Sequence, residues 1–343
     1  MSERILIIRP DRIGDVVLTT PLIRSVRESF PDSFIAVMVH PSNTPLLEGN
    51  PRIDRILTDD PTGVDSGRRG FWKQVERLRD YRFDTGLMPF PRERHAWMMF
   101  LSGIKKRVGV GHKLYQMLTF TRYVERHKYV PLRHESEYML DLAAKIGAMS
   151  IVRTPELFLS QEEKEAARRY LVAMGAKEGL PTVGTNPFSR SSSPNWRFER
   201  YSALIESLLG DFNVVINLGP HESGQRPRLA HLEDKGAIVL QQSLREHMAT
   251  VSQMDVLVSS STGSMHIAAA LGIPTVSLFC PLTACSPMLW GPVGNRSAVL
   301  LPSPGYCQTR CPGDPKVCPL EDIEVDRVLK EIQGLVGGRN QNA

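Results

Sequence analysis

The 343-residue chain predicts an α/β protein made of two parallel-sheet domains. Three observations carry this. Short apolar runs alternate with amphipathic helical stretches in both halves. Twice, an apolar run passes straight into a glycine-containing turn that opens a helix, at Asp11-Arg12-Ile13-Gly14-Asp15 and at Ser261-Thr262-Gly263-Ser264. Near the middle, Met149 to Glu156 breaks the helical periodicity.

Taken in order, Arg4 to Arg9 reads as a buried strand, because Ile5, Leu6, Ile7 and Ile8 form a continuous apolar run. An amphipathic helix is expected from Val16 to about Phe30. Further strands of the first half are expected near 34–39, 54–58, 84–88 and 107–110. The link between the halves falls in Ala148 to Ser160, after which Gln161-Glu162-Glu163-Lys164 opens a charged helix. Strands of the second half are expected near 182–186, 213–218, 237–240, 255–259 and 274–279, and a last amphipathic segment runs from Ile323 to Leu335. No sequence repeat relates the halves.

Composition sets the class. Hydrophobic residues at 41% and charged residues at 23% are ordinary for a globular protein with two cores, and argue against disorder. Met1-Ser2-Glu3-Arg4 leads directly into a strand, with no secretory signal. The longest apolar stretch, His266 to Pro281, is broken by Gly272 and Pro274 and reads as helix then strand. A cytoplasmic protein is the expectation. Cys307, Cys311 and Cys318 lie in a Pro/Gly-rich loop without a second close pair or a nearby histidine, so they are read as loop thiols and no metal is expected. Completion of a cluster by Cys280 or Cys285 is the alternative.

Each strand-to-helix junction has two readings. At the second, the strand Met254 to Ser259 runs into Thr262, Gly263, Ser264, Met265 and His266. The first N–H groups of a helix lack intrahelical acceptors and sit at the positive end of its dipole, which suits a phosphate. The other reading is a capped buried helix with His266 as a satisfied neighbour. At the first junction Asp15 is either a helix-terminal carboxylate or a general base beside Gly14. In open α/β sheets ligands bind outside the carboxyl ends of strands, so both turns point toward binding crevices.

Charge hints at a partner. The net charge is only +5, yet the segment Arg92 to Arg133 carries Arg92, Arg94, Lys105, Lys106, Arg107, Lys113, Arg122, Arg126, Lys128 and Arg133 against Glu93 and Glu125. Apolar residues such as Trp97, Phe100, Tyr115, Met117, Leu118 and Phe120 are interleaved with them. That mixture suits an anionic amphiphile at a membrane surface, with a solvated basic face as the plainer alternative. No nucleic-acid motif accompanies it, and nucleic acid is not expected as a partner.

Together these elements resemble the bacterial glycosyltransferases of family 9, which include the ADP-heptose:lipopolysaccharide heptosyltransferases. The resemblance covers most of the chain. It rests on the segment Ile8 to Leu22, Arg107-Val108-Gly109, His134-Glu135-Ser136-Glu137-Tyr138, Asn186-Pro187, Leu218-Gly219-Pro220-His221-Glu222, Ser261 to His266, and Leu278-Phe279 leading to Trp290-Gly291-Pro292. It implies the GT-B fold, two Rossmann-like domains facing across a cleft. Residues 1–155 would bind acceptor, 156–320 would bind nucleotide sugar, and the helix in 321–343 would cross back to the first domain. It further implies inverting transfer with Asp15 as base. Asn186, Ser189, Arg190, Glu222, Ser261, Thr262, Gly263, Ser264, Met265 and His266 would bind donor, with Glu222 on the ribose hydroxyls. Arg12, Gly14, Arg92 and Arg94 would bind acceptor. No cofactor beyond the nucleotide sugar is expected, since the chain has no Asp-x-Asp metal motif. The acceptor would be an anionic glycolipid at the inner face of the cytoplasmic membrane, with the enzyme peripheral to it.

Two positions depart from the family pattern. Ser261 stands where a sugar-binding carboxylate is usual, and Pro194 where a lysine is usual. Arg190 or Arg197 could supply the cation instead, since guanidinium binds phosphate well. Three alternatives follow: another nucleotide-sugar donor, a catalytically silent nucleotide-binding partner protein, or a Rossmann dehydrogenase. The last is disfavoured because the first turn has the single glycine Gly14, and Gly109-Val110-Gly111 lacks a third.

Overall fold

A computed structural model describes residues 2–126, 129–189, 193–311, 313, 314 and 317–337. The chain divides into two compact units, residues 1–158 and 159–343.

The first unit contains strands β1 (Arg4–Ile8), β2 (Phe34–Val39), β3 (Arg55–Thr58), β4 (Thr85–Met88), β5 (Lys106–Val110) and β6 (Arg122–Val124). Its helices are α1 (Ile13–Val17), α2 (Thr20–Ser29), α3 (Gly67–Tyr81), α4 (Glu93–Leu101), α5 (Leu114–Leu118) and α6 (Glu135–Lys145). All strand pairs are parallel, in the order β3-β2-β1-β4-β5-β6. The order reverses between β1 and β4. At such a switch point the loops after the two strands leave on opposite faces and open a crevice.

The second unit repeats this topology with β7 (Thr182–Asn186), β8 (Asn213–Leu218), β9 (Ile238–Gln241), β10 (Val256–Ser260), β11 (Thr275–Leu278) and β12 (Ser297–Leu300), in the order β12-β11-β10-β7-β8-β9. Its helices are α7 (Gln161–Ala173), α8 (Phe198–Leu208), α9 (Ala230–Glu233), α10 (Leu244–Val251), α11 (Gly263–Ala270), α12 (Pro287–Trp290), α13 (Tyr306–Thr309) and α14 (Val325–Gly337). Its switch point lies between β7 and β10.

The central strands are buried on both faces, which is why they read as unbroken apolar runs. Val183, Val214, Ile216, Val256, Val258 and Val276 form one core with Trp196, Tyr201 and Leu204. Leu6, Ile8, Ala36, Met38 and Leu57 form another with Val75, Leu78 and Met99. The final helix, α14, expected to return to the first domain, buries Val328 and Ile332 in the core of the second.

Two further findings differ from the sequence reading. The helix expected over Val16 to Phe30 is two helices, because Pro21 cannot donate to the Val17 carbonyl and the Thr20 hydroxyl takes that acceptor at 2.7 Å. The edge strands β6 and β12 were not expected: β6 has only three residues, two of them exposed, and the short Ala298-Val299-Leu300 run of β12 buries only Leu300.

Candidate functional site

In the first unit the site grows from the end of β1. Arg9 continues the ladder, donating its backbone N–H to Met38 at 2.8 Å, and its side chain is only 1% exposed. A buried guanidinium must be neutralised. Three carboxylates do this: Asp11 at 3.0 Å, Asp15 at 2.5 Å and Glu135 at 3.4 Å. Burial opposes the Arg9 charge, but these anions more than offset it, and the pKa of Arg9 is raised.

The three carboxylates differ in surroundings. Asp15, in the first turn of α1, keeps 19% of its side chain open, whereas Glu135 is 1% open. Glu135 is also forked by Arg126, and burial pushes its carboxyl above the ordinary range despite Arg126 and Arg9. Burial likewise raises Asp11, to about 6, against the pull of Arg9. Asp15 is therefore the member of the cluster that a substrate hydroxyl can reach. Around it, Arg12 and Arg92 are exposed and Gly14 is half-buried. Phe90, following β4, stacks under Arg92 at 4.9 Å and near Arg9 at 5.9 Å.

Arg94 behaves differently from the acceptor-binding role expected of it. Its guanidinium forks onto Asp59 at 2.8 and 2.9 Å and donates to the Asp65 carbonyl at 2.8 Å. Asp59 is fully buried and also meets His95 at 2.9 Å. Burial raises the Asp59 carboxyl, but His95 and Arg94 lower it by more, so its pKa lies below the ordinary value. Arg94 is thus engaged inside the domain, through a partner 35 residues away in sequence.

In the second unit the elements meeting at the switch point bring together Asn186, at the end of β7, with Ser259 to Ser264, which run from the end of β10 into the first turn of α11. Asn186 Nδ2 donates to Ser264 Oγ at 3.1 Å, and Ser264 Oγ lies 2.9 Å from His247 Nε2. His247 retains some surface, yet packing around its ring pushes its pKa down to about 4. The neutral ring keeps one N–H and one bare nitrogen, and its Nε2 shares a hydrogen bond with Ser264 Oγ in either tautomer. Asn186 Oδ1 is buried and has no hydrogen-bond partner among the described residues. Thr262, the N-cap of α11, makes no side-chain hydrogen bond to the first amides of that helix. An uncapped helix start beside an orphan amide oxygen suits a phosphate next to a donor group.

The end of β10 and the loop after it are buttressed by the segment before α8 and by α8 itself. Ser193 Oγ donates to the Ser261 carbonyl at 2.9 Å, Trp196 N donates to Ser260 Oγ at 3.2 Å, and Tyr201 Oη accepts from Ser260 N at 3.1 Å. Ser261, Thr262, Gly263 and Ser264 are half-buried, whereas Met265 and His266 are buried, so Met265 offers a ligand its backbone rather than its side chain. Ser189 is half-buried on the loop after β7, and Arg190 lies outside the described residues. Glu222 turns back on its own loop, accepting from Gly219 N at 2.7 Å. His247, Arg9 and the pairing of Glu135 with Arg9 were not read as site features. Only Arg9 left a local signal, a charge continuing an apolar strand.

Two doubly wound domains, each with a ligand-ready switch point, define a two-domain α/β fold of the GT-B type. The family model for glycosyltransferase family 9 (heptosyltransferase) matches residues 71–312, and the chain belongs to that family. It is a glycosyltransferase. It is 26% identical to lipopolysaccharide heptosyltransferase 2 of Escherichia coli K12 over 97% of this chain and 98% of that protein. It is 25% identical to lipooligosaccharide heptosyltransferase 2 of Haemophilus ducreyi over 97% and 99%. The fold matches the glycosyl transferase family 9 structure from Veillonella parvula with a TM-score of 0.83, at 20% identity and over 98% of this chain and 99% of that one. It matches E. coli ADP-heptose LPS heptosyltransferase II with a TM-score of 0.79, at 22% identity and over 98% and 99%. Among the described residues no helix is long and apolar enough to cross a membrane.

Proposed function

We propose that the protein is an inverting heptosyltransferase that moves heptose from ADP-heptose onto an acidic lipopolysaccharide inner-core acceptor, with Asp15 as general base. The observation that carries this reading is the Asp15 carboxylate, held by buried Arg9 at the first switch point and left open to a ligand. The relatives' names supply the substrate class. A solved E. coli heptosyltransferase with ADP, 17% identical at a TM-score of 0.71, supports the nucleotide by analogy.

In this mechanism the acceptor oxygen attacks the anomeric carbon while its proton passes to Asp15. The bond from that carbon to the diphosphate breaks, and its electron pair leaves with ADP through an oxocarbenium-like state. Charge growing on the leaving phosphate is held by the amides that open α11, which are already oriented. Asn186 and Ser264 fix that turn, while Glu222 reaches the ribose by giving up its bond to Gly219. No metal is assigned a step, and the nucleotide sugar is the only co-substrate.

The acceptor side extends to an apolar surface. Leu114, Met117 and Phe120 are 72%, 74% and 75% exposed beside Lys113 and Arg122. Phe120 holds a left-handed backbone (φ 49°), a strained conformation for an aromatic residue that presents its ring outward. Next to it lies an open groove of about 1000 Å³ lined by Phe120, Arg122, Tyr123, Pro131, Arg133 and Tyr138. A glycolipid with acidic sugars and acyl chains fits this chemistry, which supports the reading of a peripheral enzyme on the cytoplasmic side of the inner membrane.

Ser261 favours a second reading, the same reaction with another nucleotide sugar, because a serine binds a sugar hydroxyl more weakly than the usual carboxylate. Calorimetry with ADP-heptose beside ADP-, UDP-, GDP- and CMP-hexoses separates the two. Preference for ADP-heptose supports the first reading, and preference for a hexose donor supports the second. Silence across the panel leaves the non-catalytic partner.

A further inference from the structure

Asp11 takes no part in the chemistry above, yet its situation is unusual. Its side chain is 8% exposed, and among the described residues none donates a hydrogen bond to either carboxylate oxygen. It lies 3.0 Å from Arg9 Nε without the alignment of a hydrogen bond, and Arg9 Nε has no other partner. A carboxylate retained only to stabilise the fold would be matched by donors, because an unmatched buried anion is costly.

The cluster as a whole gives Asp11 a purpose. One guanidinium serves three carboxylates, Asp11 at Nε and both Asp15 and Glu135 at one terminal nitrogen. If Arg9 faced Asp15 alone, it would hold that group in place and also drain its capacity to accept a proton, since a neighbouring cation lowers a carboxylate's pKa by about 1–3 units. A base needs the first effect without the second.

Building on the proposed role of Asp15, we infer that Asp11 is a positioning residue for transfer: it draws the charge of Arg9 away from Asp15, so that Arg9 orients the base without suppressing it. Glu135 acts in the same sense from α6, where Arg126 holds it. The charged groups facing this cluster are Arg9 after β1, Asp11 and Asp15 around α1, Arg92 before α4, Arg126 after β6 and Glu135 on α6. Asp11 and Glu135 are coupled to each other through Arg9, so the observable is the acid limb of the whole profile.

The test compares wild type, Asp11→Asn, Glu135→Gln and Asp15→Asn, reading ADP release from ADP-heptose onto heptose-deficient lipopolysaccharide between about pH 5 and 9. For Asp11→Asn the acid limb of kcat/KM moves down by about one unit, kcat on the plateau falls roughly three- to tenfold, and the donor KM holds. Glu135→Gln moves the limb in the same direction. An unchanged limb and kcat in Asp11→Asn overturns the inference, as does a shift to higher pH in either variant. Failure of Asp11→Asn to fold also overturns it, because the inference holds that this charge costs stability. Wild-type turnover by Asp15→Asn is a separate result, and removes the base assignment itself.

Discussion

Neutralising Asp11 should stabilise the protein at alkaline pH. The group's folded pKa of about 6 stands above the 3.8 of an exposed aspartate. Between those values the folded state binds more protons than the unfolded chain, so the penalty is absent below about pH 4 and complete once pH has risen through 6. Two pKa units correspond to about 3 kcal/mol, already including the attraction of Arg9. An asparagine amide buried without partners returns about 1–2 kcal/mol of that. The net gain for Asp11→Asn is then about 1–2 kcal/mol above pH 7, or about 2–8 °C in the melting of a domain of this size. Scanning calorimetry of wild type and variant near pH 4.5 and pH 8 reads it directly. The gain should appear at pH 8 and shrink at pH 4.5. Equal destabilisation at both pH values would refute the reasoning, because Asp11 would then be a net contributor to the fold.

Other residues give independent tests. Arg94→Ala removes one of the two partners of the fully buried Asp59 carboxylate, leaving His95, and should cost about 2–3 kcal/mol in urea unfolding of the first domain, with turnover per folded molecule retained. His247→Phe removes the hydrogen bond to Ser264 Oγ and should raise donor Kd about fivefold by calorimetry, an effect of about 1 kcal/mol. Because His247 is held neutral down to about pH 4, wild-type donor affinity should not change through its titration between about pH 5 and 8; a step near the ordinary histidine value of 6.5 would count against that. Replacing Leu114, Met117 and Phe120 together by serine should abolish sedimentation with anionic phospholipid vesicles and leave the fold intact by circular dichroism.

The parts of this protein that were legible in sequence are those where the signal is local. Central strands of a parallel sheet are covered on both faces, and so Ile5 to Ile8 or Val256 to Val258 announce themselves as apolar runs. The edge strands Arg122–Val124 and Ser297–Leu300 need no such composition, and stayed hidden. Pro21 carried a readable break in the first helix, but the surrounding apolar periodicity masked it. Asp15 was legible as a helix-terminal carboxylate after a strand. Its control by Arg9, Asp11 and Glu135 was not, since Glu135 is 126 residues from Arg9 and only the fold brings them together. Arg94 shows the converse error. Local charge density suggested a ligand contact, while its partner Asp59 sat beyond the window of any local pattern.

The account's central claim is that Asp15 does chemistry rather than cap a helix. The measurement that tests it most directly is turnover of ADP-heptose by Asp15→Asn alongside calorimetric donor binding on the same preparation. The account predicts that kcat falls by at least about 100-fold while donor Kd changes less than about twofold. Turnover within about twofold of wild type would contradict it, and would return Asp15 to the helix-capping role that its position in the first turn of α1 equally permits.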